Sequence, residues 1–322
     1  MKKILIFVCL ALVSGIAMFA QEVGATVKEE HFSSFDAIVV RNAFNVTLNK
    51  GTSFDVKSTV DNRVFDCFRM YLQGTTLVVE IDEKNINKEV KSSLKKKGAI
   101  PLVLSADIFV PETSSLKSIE LCNSSSLSGN GKFNFPQAVT IKTSETATVK
   151  SIEIKAPKVT LQTANKSNVQ ANISAPEVDV QTNGNSFACL NVTEGNLNSN
   201  TNNTINIEAN ASSQVSLTGS SASTAVKASG SSKVYLNAAA DRLTVVGKGN
   251  SNVDAHLATV NDADIDLSSS DCWVVPLKTL KIKLASNSKL VFGGNPAIDI
   301  NKIANSSVTR EADSKQAKAL KR

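Results

Sequence analysis

From Val139 to Asn295 the apolar and polar positions repeat a short phrase. Val139-Thr-Ile141-Lys-Thr-Ser-Glu-Thr-Ala-Thr-Val149 is followed by Val159-Thr-Leu161-Gln-Thr-Ala-Asn-Lys-Ser-Asn-Val169 and by Val178-Asp-Val180-Gln-Thr-Asn-Gly-Asn-Ser-Phe-Ala188. Leu243 to Val253 and Leu280 to Leu290 repeat it again. Each copy has two apolar residues two apart, then a run of Asn, Ser and Thr, then an apolar residue ten positions after the first. The copies at 139, 159 and 178 begin about twenty residues apart. A second half lies between them, as in Val149-Lys-Ser-Ile152-Glu-Ile154, Val169-Gln-Ala-Asn-Ile173 and Val253-Asp-Ala-His-Leu257. The unit is therefore about ten residues, used twice per turn.

A fixed period of this size marks a repeat architecture, and apolar residues two apart mark strands. A strand of three or four residues buries nothing alone. Stacked turns place Ile141, Leu161 and Val180 over one another and build a continuous apolar column. Asn and Ser suit the corners, since their side chains bond nearby backbone and Asn tolerates left-handed conformations; stacked Asn can also form amide ladders. The predicted class is all-β: a parallel β-helix or related β-solenoid with a strand-rich N-terminal cap. A helical reading fails, because no segment keeps a three-four apolar spacing and β-branched residues and Asn are poor helix formers. The alternative is an antiparallel sandwich of regular strands. Between Leu197 and Val234 the apolar residues Leu197, Ile205, Val215, Val226 and Val234 allow two registers.

The chain before residue 111 is different. Phe35 to Val40, Phe44 to Leu48 and Leu102 to Val110 read as strands, and Phe65–Leu72 and Leu77–Ile81 as two strands joined at Gln73-Gly74. Residues 83–98 carry Lys84, Lys88, Lys91, Lys95, Lys96 and Lys97, read as a solvated loop or short helix rather than an anion-binding patch. At the start, Lys2-Lys3, an apolar run from Ile4 to Phe19 and Ala20-Gln21 make a secretory signal peptide, too short for a membrane span. Cys9 follows Val8 in mid-run, which argues against lipid attachment. The expected organisation is a signal peptide over 1–20, an N-terminal β cap over 21–110 with the insertion at 83–98, the solenoid over 111–300 and a charged tail over 301–322.

These segments carry a resemblance. A Phe35-x-x-Ile38-x-Val40 opening leads to Phe44-Asn-Val46-Thr-Leu48-x-x-Gly51, then a Gly74-x-x-Leu77-x-Val79 hairpin. An Ile108-x-Val110-Pro111 strand, Leu116-x-Ser118-Ile119-x-Leu121 and turns rich in Asn and Ser follow. This order resembles the head GIN domain family, auto-transporter adhesins of Bacteroidetes envelopes, over roughly residues 32–295. Two departures stand out: Cys122-Asn123 replaces a usual Ser-Gly pair, and the lysine-rich insertion is long. The resemblance implies a β-helix and an envelope location, and it transfers no catalytic residues.

Charge and chemistry alter this picture little. The net charge of +6 rests partly on the insertion and the tail, and no nucleic-acid partner is expected. Cys67, Cys122, Cys189 and Cys272 lack metal-ligand spacing; each sits near a strand-like segment and is read as a buried thiol, with a disulfide possible in an oxidising compartment. His31 and His256 are the only histidines. Asp254 and His256 alternate within one strand, as do Asp262, Asp264 and Asp266. Stacked carboxylates on a β-helix can hold calcium or perform acid–base work on polysaccharides, so a polysaccharide lyase or hydrolase is the rival reading. Solvated outward carboxylates are the plainer one, because Arg242 is the only arginine between Arg69 and Arg310. Trp273 is read as a core or lid residue. No nucleophile elbow, phosphate loop or zinc spacing is present. The expectation is a non-enzymatic, exported envelope or secreted protein, periplasmic, outer-membrane-associated or extracellular. It has adhesin-like surface binding toward a glycan or protein, no cofactor, no catalytic or metal-binding residues and no membrane span. The residues name neither the ligand nor the oligomeric state.

Overall fold

The computed structural model describes residues 24–112, 115–193 and 203–311. The expected signal peptide over 1–20, Leu197 and the end of the tail lie outside them. The rest is a β-solenoid of about ten turns.

Its regular part consists of paired short strands. On one face β8 (Ser118–Leu121), β10 (Val139–Thr143), β12 (Lys158–Thr163), β14 (Glu177–Thr182) and β16 (Thr204–Ala209) stack in parallel. On the other face the stack is β9 (Ser126–Asn134), β11 (Thr148–Lys155), β13 (Asn168–Ser174) and β15 (Phe187–Val192). The next four strands are long and bend from one face to the other: β17 (Gln214–Ala228), β18 (Lys233–Lys248), β19 (Asn252–Ser268) and β20 (Asp271–Ala285). The first half of β17 pairs with β15 and its second half with β16. The last full turn is made of β21 (Lys289–Phe292) and β22 (Ala297–Ile303), and β23 (Ser307–Arg310) stacks on β21 as the start of another. Strand structure thus runs past residue 300.

Ile141 aligns with Leu161, and Leu161 with Val180, all at most 1% exposed. The pairing is parallel, which excludes the antiparallel sandwich. Ile205, Val215, Val226 and Val234 all face inward, which fixes the register left open by the sequence. One expected inward residue is not: Leu257 is exposed, while Ala255 and Ala258 are buried. The β19 pairing slips at this corner, so the apolar count resumes one residue later.

Left-handed residues mark a shared corner from turn to turn. They are Asn42, Asn123, Glu145, Asn165, Gly184, Ala211, Gly230, Gly249, Ser269, Asn287 with Ser286 beside it, and Asn305, with φ between 46° and 73°. Asn and Gly tolerate this region best. Gly184 sits so close to Asn165 that a Cβ would lie 2.9 Å from its Cα. Two residues past most of these corners a serine turns inward, and in several turns its hydroxyl donates to the carbonyl three residues earlier, at 2.8 Å for Ser125 to Cys122 and 2.9 Å for Ser167 to Ala164. Buried threonines complete the stack: Thr143, Thr163 and Thr182 donate to Ser167, Ser186 and Ser213 at 3.0, 3.0 and 2.9 Å. Later turns replace the threonine column by Ala209, Ala228 and Gly247. The hydroxyls of Ser232 and Ser270 then have no hydrogen-bond partner.

At the N-terminal end, chain order and spatial order part. β2 (Ala37–Val40) and β3 (Asn45–Gly51) form a turn that stacks in parallel on β8 and β9. The chain then leaves and returns on the other side of that turn. β4 (Phe54–Asp61), β5 (Phe68–Gln73), β6 (Thr76–Ile81) and β7 (Leu104–Pro111) follow β3 in sequence. β6 lies parallel to β2 and β7 parallel to β3. β5 pairs antiparallel to β6, joined at Gly74, whose φ is +64°. β4 pairs antiparallel to β7, and β1 (Ala25–Phe32) antiparallel to β4. Phe35 packs edge-on against Phe54 and Phe32 within this end. The lysine-rich insertion holds the short helix α1 (Lys88–Leu94), which has no buried residue and is capped by Asn87 accepting from the Glu89 N–H at 2.9 Å.

Asp61 ties this end together. Its carboxylate is fully buried, pairs with Arg63 at 2.7 Å and accepts from the Val103 N–H at 3.3 Å. Burial alone would raise the Asp61 carboxyl, and the hydrogen bonds from Arg63 and the backbone outweigh it, holding the pKa below its ordinary value. A lowered pKa stabilises the fold above the unfolded-state value and loses that contribution as pH falls through the folded one. Asp61→Asn is expected to cost about 1–3 kcal/mol at neutral pH. The gap to wild type should close as pH falls below the ordinary carboxylate range in urea melts run as a pH series; a gap independent of pH would contradict this role. Leu161→Ala is expected to cost about 2–5 kcal/mol, as for a truncated buried leucine. A urea melt showing under about half a kcal/mol would place Leu161 outside the core.

Candidate binding face

Because each turn repeats the last in register, outward residues also stack. On the face of β13, β15 and the first halves of β17–β20, Gln170, Cys189, Ser216, Tyr235, Asp254 and Trp273 follow one another as direct neighbours. Two residues along lies a second column of Asn172, Asn191, Thr218 and Asn237. Its early members bond to one another: the Asn191 amide donates to Asn172 at 3.3 Å, and the Thr218 hydroxyl donates to the Asn191 carbonyl oxygen at 3.1 Å. This short ladder of one amide pair and a threonine lies on the strands β13, β15 and β17 and not at the corners. A shallow groove of about 360 Å³ runs along it, lined by Lys150, Gln170, Asn172, Cys189, Asn191 and Thr218.

The other end of the face is aromatic. The His256 ring stacks on Trp273 with centroids 4.5 Å apart and planes 22° apart. His256 Nδ1 lies 2.5 Å from an Asp254 carboxylate oxygen, so the carboxylate fixes the ring. Trp273 therefore belongs neither to the core nor to a lid: it stands on the outward side of β20, half-buried beneath His256. Its indole N–H is buried without a partner. His256 covers one face of the ring.

The Asp–His pair is part of an acid–base arrangement. A nucleophilic site also needs a hydroxyl or thiol in reach of the second ring nitrogen. Among the described residues no such hydrogen bond to His256 exists. The nearby thiol, Cys272, points inward, and burial pushes it far above the usual range.

The other candidate carboxylates lie on the opposite face. Asp262 accepts from Thr279 at 2.6 Å, and Asp266 pairs with Lys283 at 2.6 Å. Asp264 is exposed, with Thr244 and Lys281 as its strand neighbours. They are cross-turn partners in solvent, as are Lys158, Glu177 and Asp179 farther up, where Lys158 lies 2.5 and 2.6 Å from the two carboxylates. Among the described residues no group of three or more His, Cys, Asp or Glu side chains is placed to hold a metal ion. His31 lies far from these columns, on β1, paired with Asp55 at 2.6 Å.

The cysteine expectation needs correcting. All four are free; Cys67 and Cys272 are buried, Cys122 is half-buried and Cys189 is exposed in the groove. The reason is parity: Ala188 and Leu190 take the inward positions of β15, so Cys189 must face out. Two contacts are not evident in the local pattern of residues. The adjacency of Cys189 to Gln170 follows from adding one turn length, about nineteen residues, to an outward position; the His256–Trp273 stack is a diagonal contact, since the residue one turn before Trp273 is Asp254.

Trp273 is the only tryptophan, so its fluorescence reports on the stack. His256→Ala is expected to shift emission to the red, with stability changed by less than about 1 kcal/mol as for a surface aromatic contact. An unchanged spectrum would mean that the two rings do not stack in solution.

The family model described as "Putative auto-transporter adhesin, head GIN domain" matches residues 34–202 and 189–296. No curated protein matches the chain. Among solved structures, a "putative adhesin from Parabacteroides distasonis ATCC 8503" is 11% identical with a TM-score of 0.45, covering 90% of this chain and 98% of its own. A "putative adhesin from Parabacteroides merdae ATCC 43184" is 13% identical with a TM-score of 0.44 and the same two coverages, 90% and 98%. A "Putative lipid binding protein from Parabacteroides distasonis ATCC 8503" is 14% identical with a TM-score of 0.40, again over 90% and 98%. No helix among the described residues is long and apolar enough to cross a membrane, which says nothing of β-barrels. The chain belongs to the head GIN domain family.

Proposed function

We propose that this is a non-enzymatic, exported envelope protein that binds an extended partner through the outward face of β13, β15 and the first halves of β17–β20. The observation that carries the reading is the pair of in-register outward columns, Gln170 to Trp273 and Asn172 to Asn237. They offer amide and hydroxyl groups at one end and Tyr235, His256 and Trp273 at the other. Groups repeating at a strand spacing of about 4.8 Å suit a ligand that is itself extended, a glycan strand or a peptide. Family membership supports an adhesin-like role. The charged and apolar pattern of residues 1–20 supports export through a cleaved signal peptide.

The rival reading is a polysaccharide-cleaving enzyme, and the Asp254–His256 pair is the observation that favours it. The two separate cleanly. A catalytic acid or base contributes about two to four orders of magnitude in rate, whereas a face spread over many turns loses little from one side chain. The protein is expected to bind in a glycan array or an extracellular-matrix panel, to retain that binding in Asp264→Asn and His256→Ala, and to cleave no polysaccharide. Cleavage by the wild type that either substitution abolishes would overturn the adhesin reading and promote the enzyme.

A further inference from the structure

The two ends of the solenoid are finished differently. At the N-terminal end the outermost strands are β1 and β5, and β1 presents Lys28, Glu29 and Glu30. Charged edges of this kind resist pairing with another chain. At the C-terminal end the last turn ends bare. Among the described residues β22 pairs with β20 and β23 with β21, and neither has a neighbour on its outer side. Ile298, Ile300 and Ile303 continue the inward column above Leu280, Ile282 and Leu284, yet they are 47%, 57% and 41% exposed. A solenoid end normally carries a polar capping turn. This one exposes an apolar column and an open row of backbone hydrogen-bonding groups.

We infer that this end is a self-association surface, on which a second copy docks end to end with β22 antiparallel to its symmetry mate. The sequence of β22 is complementary to itself in one register. Pairing with β20 skips Asn301 as a bulge, so Ile298, Ile300 and Ile303 share the inward side, and Asp299 and Lys302 the outward side. A two-fold axis through Ile300 sets Ile300 opposite Ile300 of the mate. It sets Ile298 opposite Ile303, and Asp299 opposite Lys302, each twice. Cross-strand apolar and opposite-charge pairs are the units that stabilise antiparallel sheets, and a two-fold interface requires this self-complementarity. Parity also holds, because removing the bulge residue leaves each paired residue with its backbone groups on the matching edge. The inward column of one copy then runs into that of the other, and the isoleucines leave water.

The chain's own end is the competing cover. Residues 312–322 contain Asp313, Lys315, Lys318, Lys321 and Arg322, with Leu320 as their only large apolar side chain. That composition matches three isoleucines poorly.

Light scattering and sedimentation velocity on the purified protein over a concentration series test the inference. The expected species has twice the chain mass. Ile300→Lys should weaken the dimer at least tenfold while leaving the thermal melt cooperative. Asp299→Lys alone should also weaken it, by facing Lys302 of the mate, and adding Lys302→Asp should restore it. That rescue is not available to a variant that merely misfolds. Removing residues 312–322 should leave the dimer intact. A monomer throughout the series, a dimer indifferent to Ile300→Lys, a charge swap that fails to rescue, or a dimer formed only after removal of 312–322 would each overturn the inference.

Discussion

Every turn must return to the footprint of the turn before it. In a parallel stack a residue can bury its side chain only above and below its counterparts, and one misplaced turn would turn inward residues outward. The chain meets this requirement at a single corner, marked by left-handed residues, where an inward serine binds the local backbone in several turns. The corner fixes where the following strand begins. Register on both faces, and hence the apolar column, depends on it. Left-handed backbone is costly for most residues, so the corner positions are mainly Asn and Gly. At Glu145, Ala211 and Ser269 the stack imposes the conformation on residues that do not favour it.

The same constraint produces the candidate site. No loop gathers distant residues here; the outward columns exist because the inward ones are in register. Asn172, Asn191 and Thr218 bond to one another because each occupies the same place in its turn. Asp254 lies beside Trp273 because β19 and β20 align, and His256, two residues along, reaches across to stack on that indole. A surface made this way is long, shallow and repetitive, which suits recognition of an extended partner better than enclosure of a small substrate. It also explains why the carboxylates that raise the thought of an enzyme are dispersed. Asp254 lies on one face, bonded to His256, and Asp262, Asp264 and Asp266 lie on the other, where Asp262 is met by Thr279 and Asp266 by Lys283 from the next turn.

Much of this was legible in the residues. The spacing of Ile141, Leu161 and Val180 gave their stacking directly, because period-two alternation and a fixed turn length are local properties. The solvated character of the lysine-rich insertion followed from its composition. What escaped depends on turn length. Cys189 was taken as buried because a cysteine near apolar residues resembles one of them; only its parity against Ala188 and Leu190 sends it outward. Leu257 was placed inward because the pairing slip at its corner is invisible in one strand. Trp273 was read as a core or lid residue, although its turn position is that of the outward Asp254. The excursion of β4–β7 between β3 and β8 is a long-range event, and nothing in the phrase Phe44-Asn-Val-Thr-Leu48 says that its neighbours lie sixty and eighty residues away, at Ser105 and Ser126.

In-register stacking of outward residues is the claim on which the binding face rests, and native Cys189 offers a direct gauge of it. Strands in a sheet lie about 4.8 Å apart, within the Cα separation that a disulfide spans. Introduced singly, Gln170→Cys is expected to form an intramolecular disulfide with Cys189 under mild oxidation, read by mass spectrometry of the digested protein, whereas Asn172→Cys is not. Preferential bridging from position 172, or from neither, would contradict the register and with it the face that the register builds.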